Sequence, residues 1–346
     1  MLLNLRQALR NFGLIKSYED PAKVVPIHLG TPSPHIGRLI VTGLGSAGFR
    51  GWGKGRPDLF FPPFAYELYI HGIETIFVTT LEDLYSAASF EPHVVVHIYS
   101  EEVPRDDLIP LSADLSSASR IYNPRHIGAV IGDKIQTNRI LSGGGVPMPR
   151  HISDPSSTHA RDVFSTSPIG TQQAATIIEP GDPLGPDKYN VEFIDTRIPY
   201  NNVDYYTTVR LMCIGGEIVH AYVRAKAAHV DDPSVHGSDT PLDPPLLEYL
   251  HATLVHDIWP ELKQLALTLA GTLGPGFYAH DLLVEQPDGH LYVCEVGFKY
   301  MGGAFVEHIL PIGAHLPSFR VLLGPEYGQL AAHAFLRDCR SAGVFE

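Results

Sequence analysis

Within the stretch Gly276 to Gly303, GFYAHDLLVEQPDGHLYVCEVGFKYMGG, the residues equipped for chemistry are two acids, Asp281 and Glu295, each set in a run of β-forming residues. The runs flank Pro287-Asp288-Gly289, and a three-residue connection with Gly in the left-handed position is a common hairpin loop. Such a loop sets Gln286 opposite His290. Antiparallel counting then brings Asp281 directly opposite Glu295 on one face, because side chains alternate with period two. Like charges facing each other across a ladder are destabilising. A hard divalent cation removes the conflict: Mg²⁺ accepts one or two carboxylates together with nucleotide phosphates. The alternative is two acids on a solvated face that keep a strand soluble.

A second chemical pattern is Arg38-Leu39-Ile40-Val41-Thr42 running into Gly43-Leu44-Gly45-Ser46-Ala47-Gly48. A G-x-G-x-x-G after a strand can bring backbone N–H groups to a pyrophosphate. Here FRGWGKGRPDLFFPPF follows, rich in Gly and Pro where a helix should open, and the next strand ends beyond the roughly 20-residue distance at which a ribose-binding acid is expected. A dinucleotide-binding oxidoreductase is therefore the less favoured reading. The 18 histidines form no HExxH, and His251 and His256 are spaced too far apart to share a helix face well.

Composition narrows the classes. The chain has 346 residues, enough for two domains, and a formal net charge of −13, which argues against a nucleic-acid partner. Cys213, Cys294 and Cys339 are odd in number and in no metal-ligand spacing, so a reduced, cytoplasmic setting is expected. No run approaches the ~18 apolar residues of a membrane span, and MLLNLRQALRNFGLI, interrupted by Arg6, Arg10 and Asn11, reads as an amphipathic helix ending at Gly13 rather than a signal peptide. No membrane partner is expected.

The elements that must position the acids follow from periodicity. A helix from about Pro63 to His71, a strand at Ile76–Thr79, a helix at Leu81–Ala88 and a strand at His93–Tyr99 make a small parallel α/β sheet. A Ser-rich connection, Leu111 to Arg120, leads to a strand-like Ile121-Tyr122, and the domain boundary is placed near Asn123. Further on, Leu246, Leu247, Leu250, Leu254, Ile258, Leu262, Leu265 and Leu269 form a helical core stripe after Pro244-Pro245, and Gln329–Asp338 is a last amphipathic helix.

From Tyr122-Asn123-Pro124 through Asp133-Lys134, Thr137 and Leu141 to Gly145-Val146-Pro147-Met148-Pro149, the chain resembles the entry motif of the ATP-grasp ligases, especially their glutathione-synthetase-like branch. Three further stretches fall in that family's order. Tyr189-Asn190-Val191-Glu192-Phe193-Ile194-Asp195 resembles the strand and hinge that hold adenine. Tyr206 to Arg210 with Ile214 to His220 and Arg224 resembles the hairpin that ends in an arginine near the phosphates. Asp281 and Glu295, followed by Gly302 and Gly303, resemble the magnesium-binding acids.

The resemblance covers about residues 121 to 310 and implies an α/β (α+β) fold: an N-terminal Rossmann-like pre-ATP-grasp domain, 1–122, followed by an ATP-grasp domain, 123–346, with a lid at about 146–195. It implies an ATP- and Mg²⁺-dependent carboxylate–amine ligase working through an acyl-phosphate on small-molecule carboxylate and amine substrates or peptides, with a homodimer allowed for. Lys134 would meet the α/β-phosphates, and Asp281 and Glu295 would hold Mg²⁺. Arg210 and Arg224 would steady the carboxylate. Glu192, Phe193 and Ile194 would frame adenine, Glu192 and Ile194 through backbone groups, and Asp195 would take the ribose hydroxyls. Read without the family, Lys134 is one solvated charge on a helix.

Two positions depart from the pattern. The lid lysine is missing from Val163 to Gly170, and the metal-binding Asn is Gly297. Lys188 or Lys299 could supply the charge, and water the coordination position. These departures motivate the rival reading, a nucleotide-binding ATP-grasp protein without catalysis.

Overall fold

The computed structural model describes residues 36–42, 57–78, 81–97, 118–128, 130–154, 161–169, 175–229, 232–298, 300 and 303–345. The glycine fingerprint Gly43–Gly48, the amphipathic N-terminal helix, Lys299 and Gly302 lie outside the described residues.

Strands β1 (Gly37–Thr42), β2 (Ile73–Val78), β3 (His93–His97) and β4 (Arg120–Tyr122) form a parallel sheet in the order β2-β1-β3-β4. The strands IETIFV and HVVVH are buried along their whole length, as parallel strands covered on both faces must be. Alternate residues serve the two covers. Leu39 and Val41 face a core shared with helix α1 (Pro57–Ile70), whereas Ile40 and Val95 face α2 (Leu81–Ala88) through Leu84 and Ala87. Helix α1 starts a turn and a half before the expected Pro63 and runs through Pro62 and Pro63. The rings of Phe60, Phe61 and Phe64 are buried there, and their packing outweighs the backbone bonds that proline removes.

Asn123 joins this sheet to the rest. Its φ of 53° is in the left-handed region, which Asn tolerates. Its buried side chain donates to His97 O at 2.8 Å and accepts the Phe277 N–H at 2.7 Å. After α3 (Arg125–Gly128) comes α4 (Lys134–Gly143), whose N-cap Asp133 accepts from Gln136 N. A small antiparallel sheet then forms from β5 (Val163–Thr166), β6 (Thr176–Ile178) and β7 (Tyr189–Glu192), in the order β6-β5-β7, within the segment expected to be a lid.

The third sheet has β8 (Ile198–Tyr200), β9 (Val203–Ile214), β10 (Glu217–Ala227), β11 (Phe277–Val284) and β12 (Leu291–Gly297), in the order β10-β9-β11-β12 with β8 paired to β9. One face, with Val209, Leu211, Val223 and Tyr278, packs on the leucine stripe. The stripe is divided between α5 (Pro244–His251) and α6 (Trp259–Leu273) by a π-helical turn, Ala252–His256. The other face changes character along its length. At one end Met212, Ile214, Phe277 and Ala279 share a core with α1 and with α9 (Glu326–Ser341), which is longer than the expected Gln329–Asp338. At the other end it is polar. Helices α7 (Gly303–Ile309) and α8 (Arg320–Leu323) lie in between in sequence.

The β11–β12 hairpin corrects the expected loop. Its connection is four residues, Gln286 to Gly289, with Glu285 N–H bonded to His290 O at 2.9 Å and Gly289 N–H to Glu285 O at 2.7 Å. Val284 pairs Leu291 and Leu282 pairs Val293, one residue off the expected register. A bulge at Cys294 takes up the extra residue and returns Asp281 to its place opposite Glu295.

Candidate functional site

A cavity of about 350 Å³ opens between the small antiparallel sheet and the polar end of the third sheet. Lys134, Glu192, Phe193, Ile194, Arg210, Arg224, Asp281 and Glu295 all line it. These residues are scattered over the chain, and the two sheets with the start of α4 bring them together.

The centre of the site is a file of side chains across four strands. Tyr222 of β10 pairs Arg210 of β9, Arg210 pairs Asp281 of β11, and Asp281 pairs Glu295 of β12. Directly paired residues share a face, so strand alternation alone turns all of them into the cavity. Arg210 Nη1 donates to Asp281 Oδ1 at 3.0 Å and to Oδ2 at 3.1 Å; Arg224 Nη2 reaches Oδ2 at 2.8 Å, and its Nε donates to Thr208 Oγ1 at 3.2 Å. The reading of two acids on a solvated face is thereby corrected for Asp281, which is 7% exposed. Burial acts to raise the Asp281 carboxyl, but the Arg210 and Arg224 guanidiniums outweigh it and hold the group below its ordinary value. The conflict between paired acids, from which a cation was inferred, is thus already relieved by two arginines that the hairpin alone could not reveal.

The donor set still suits Mg²⁺. Asp281 and Glu295 present hard carboxylate oxygens to one cavity from directly opposed positions. The three guanidinium bonds to Asp281 fall short of the roughly four lone-pair sites of a carboxylate.

Lys134 is not a free surface charge. It is the first residue of α4; its N–H donates to Pro168 O at 2.9 Å and its ammonium to Ser167 O at 3.2 Å, just beyond β5. Apolar side chains also line the cavity: Pro149, Phe164, Val191, Phe193, Ile194 and Leu283. There the chain leaves β7: Glu192 N–H bonds Arg150 O at 3.0 Å and Phe193 N–H bonds Asp162 O at 2.9 Å, while the Glu192 carboxylate meets Arg161 and Arg150.

Asp195 stands apart from these residues. Its carboxylate turns to Arg197, whose Nη2 donates at 2.7 Å and Nε at 2.9 Å, and it does not line the cavity. Lys188 is exposed and is not among the described lining residues either.

Sequence reasoning missed one wall, Pro233 to Ser238, together with Phe305. Lys226 anchors this segment, donating to Asp232 Oδ2 at 3.2 Å and Ser234 O at 3.1 Å. Phe305 stacks on Tyr222 with ring centroids 4.3 Å apart. A signal was present: Tyr222, Arg224 and Lys226 stand at period two on one strand, which assigns them one face.

No protein-family model matches the chain, and no curated protein matches it. Solved structures do. The chain is similar to D-alanine–D-alanine ligase from Bacillus anthracis complexed with ATP, at 12% identity over 89% of this chain and 98% of that one, TM-score 0.48. It is similar to the ATP-grasp ligase PsnB complexed with minimal precursor, Mg and ADP, at 14% identity over 86% and 98%, TM-score 0.46. A RimK domain protein ATP-grasp from Sphaerobacter thermophilus is 15% identical over 86% and 99%, TM-score 0.43. Structures similar to this chain thus include ones that are themselves described as ATP-grasp.

Proposed function

We propose that this protein is an ATP- and Mg²⁺-dependent ligase that joins a carboxylate to an amine through an acyl-phosphate. The observation that carries the reading is the file Arg210–Asp281–Glu295, with Arg224 and Lys134 in the same cavity, whose lining also includes apolar side chains. The apolar lining, Phe164 and Leu283 among it, would hold an adenine ring beside the backbone of Glu192 and Ile194, and the charged file would hold a polyphosphate.

Electrostatics supports the need for a cation. Among the described lining residues Lys134, Arg210 and Arg224 are balanced by Glu192, Asp281 and Glu295, so the wall has no net formal charge with which to hold a triphosphate. Asp281 and Glu295 would hold Mg²⁺, which supplies charge neutralisation at the phosphates. Lys134 would bind the phosphate chain from the lid side. Arg210 and Arg224, two guanidiniums already aimed into the cavity, would orient a substrate carboxylate and stabilise negative charge on the transferring phosphoryl group and at the acyl centre. The carboxylate attacks the γ-phosphorus, ADP leaves, and the amine displaces phosphate from the acyl-phosphate. Closure by the small sheet would exclude the water that hydrolyses such an intermediate.

A second reading, nucleotide binding without catalysis, is favoured by the cavity wall itself: Phe164 and Thr166 stand on the lid strand, without a lysine, and Gly297 brings no side chain beside Glu295. ADP release with panels of acids and amines decides between the two. Turnover that needs both partners supports the ligase. ATP binding without turnover under any pairing supports the binder, and equal affinity for NADH and ATP removes both. Lys134→Ala is expected to weaken ATP binding by tenfold or more, about 1.4 kcal/mol; unchanged affinity in calorimetry would return Lys134 to a structural role.

A further inference from the structure

We infer that Glu67, His71 and His333 form a binding site for a divalent transition-metal ion of the zinc class, clamping α1 to α9. None of the three lines the cavity. Glu67 on α1 and His71, the residue just past its end, stand at i and i+4. His333 arrives from α9. Its Nε2 lies 2.7 Å from Glu67 Oε1, and His71 Nε2 lies 3.6 Å from that same oxygen. One ligand atom from each residue falls within 4.8 Å of the other two.

The arrangement is more than an ion pair. One imidazole satisfies the Glu67 oxygen, yet a nitrogen of a second stands just beyond hydrogen-bond range of it. Zinc–nitrogen and zinc–oxygen bonds of about 2.0–2.2 Å place tetrahedral ligand atoms roughly 3.3 Å apart, a spacing that the two observed separations straddle. Small rotations of the two imidazoles would close the set. Both have room to rotate, at 36% and 40% exposure, and leave coordination positions open to water, while Glu67 is held at 12%. Two imidazoles and one carboxylate suit zinc, nickel or copper, whereas Mg²⁺ prefers oxygen donors throughout.

The ligands are also carried on elements already in register. Gly328 of α9 lies so close to α1 that an added Cβ would meet Phe60 O at 2.4 Å and Phe64 N at 3.0 Å. The Phe64 and Phe335 rings pack edge to face between the helices at 6.2 Å. Helix positions fixed in this way reduce the ordering that binding must bring about.

The test uses the full chain, freed of metal with a chelator and titrated calorimetrically with Zn²⁺ in the absence of nucleotide. Wild type is expected to bind at a site that weakens roughly tenfold or more in His71→Ala and in His333→Ala. Melting temperature should rise with Zn²⁺ in wild type and not in the double variant His71→Ala/His333→Ala. His256→Ala, at an exposed histidine beside Asp257, should keep the full response. Circular dichroism without metal checks that the variants fold, and His71→Gln substitutes where alanine does not. Co²⁺ in place of Zn²⁺ should give a d–d absorption band that the double variant lacks. If wild type binds no Zn²⁺, or the double variant binds it unchanged, Glu67 and His333 form only an ion pair and the inference fails.

Discussion

Asp281 shows what one residue can and cannot disclose before its neighbours are known. Its pairing with Glu295 follows from strand period, but the arginines that answer its charge sit on β9 and β10, strands whose order no local pattern states. Removing the acid therefore does not relieve a repulsion, as the isolated hairpin suggested. It takes away the carboxylate that two guanidiniums, 11% and 10% exposed, both contact. Asp281→Asn is expected to cost about 3–5 kcal/mol, the usual loss on breaking a buried pair, in urea unfolding at pH 7. The pH dependence has a definite sign. A carboxyl held below its ordinary value stabilises the fold above that value and loses the contribution as pH falls through its folded value, so acid below about pH 4 should narrow the gap between wild type and Asp281→Asn. A gap constant from pH 7 to pH 3 would show that the arginines do not act on this group.

Strands and turns were more legible than their exact joints. The β11–β12 pairing of the acids survives an extra loop residue only because Cys294 bulges, and bulges leave no mark in hydrophobic alternation. Gly297, on the same strand, is not among the positive-φ glycines of the described residues, so a side chain meets no conformational bar there. Gly297→Asn is expected to steepen the Mg²⁺-dependent rise in melting temperature with ATP; no change would place the metal elsewhere. Histidines buried in the third sheet give it a further property. Burial pushes His220 and His280 down to about 3, with His251 adding to the effect at His220, so both are neutral when folded and take up protons on unfolding once pH falls below about 6.5. Their contribution is complete above about pH 6.5 and is lost progressively below it, at about 1.4 kcal/mol per pH unit for each proton. The variant His220→Phe/His280→Phe should flatten the stability profile between pH 6 and 4, read from urea midpoints.

At the scale of the molecule, composition and alternation located the first parallel sheet, and the sequence reading sets a boundary near Asn123. What they did not indicate is that Phe64, Tyr122, Phe277 and Phe335 belong to one core reaching across that point, since such contacts join positions far apart in sequence. The missed wall at Pro233 to Ser238 has the same cause: Lys226 and Phe305 give it meaning only in three dimensions. Asn123→Ala removes two buried hydrogen bonds, to His97 O and from Phe277 N–H, and should cost roughly 1–3 kcal/mol. Calorimetry should show a single transition in both proteins; two separated transitions in wild type would mean that the shared core does not couple the halves. Helix α9 completes the core that Leu39, Val41 and the aromatic rings of α1 enter, although some three hundred residues of synthesis separate them. While the ribosome is still translating the later strands, the first sheet therefore has an open apolar flank. Its completion waits for the distal helix, and a nascent chain stalled before α9 is the form that a chaperone would need to guard.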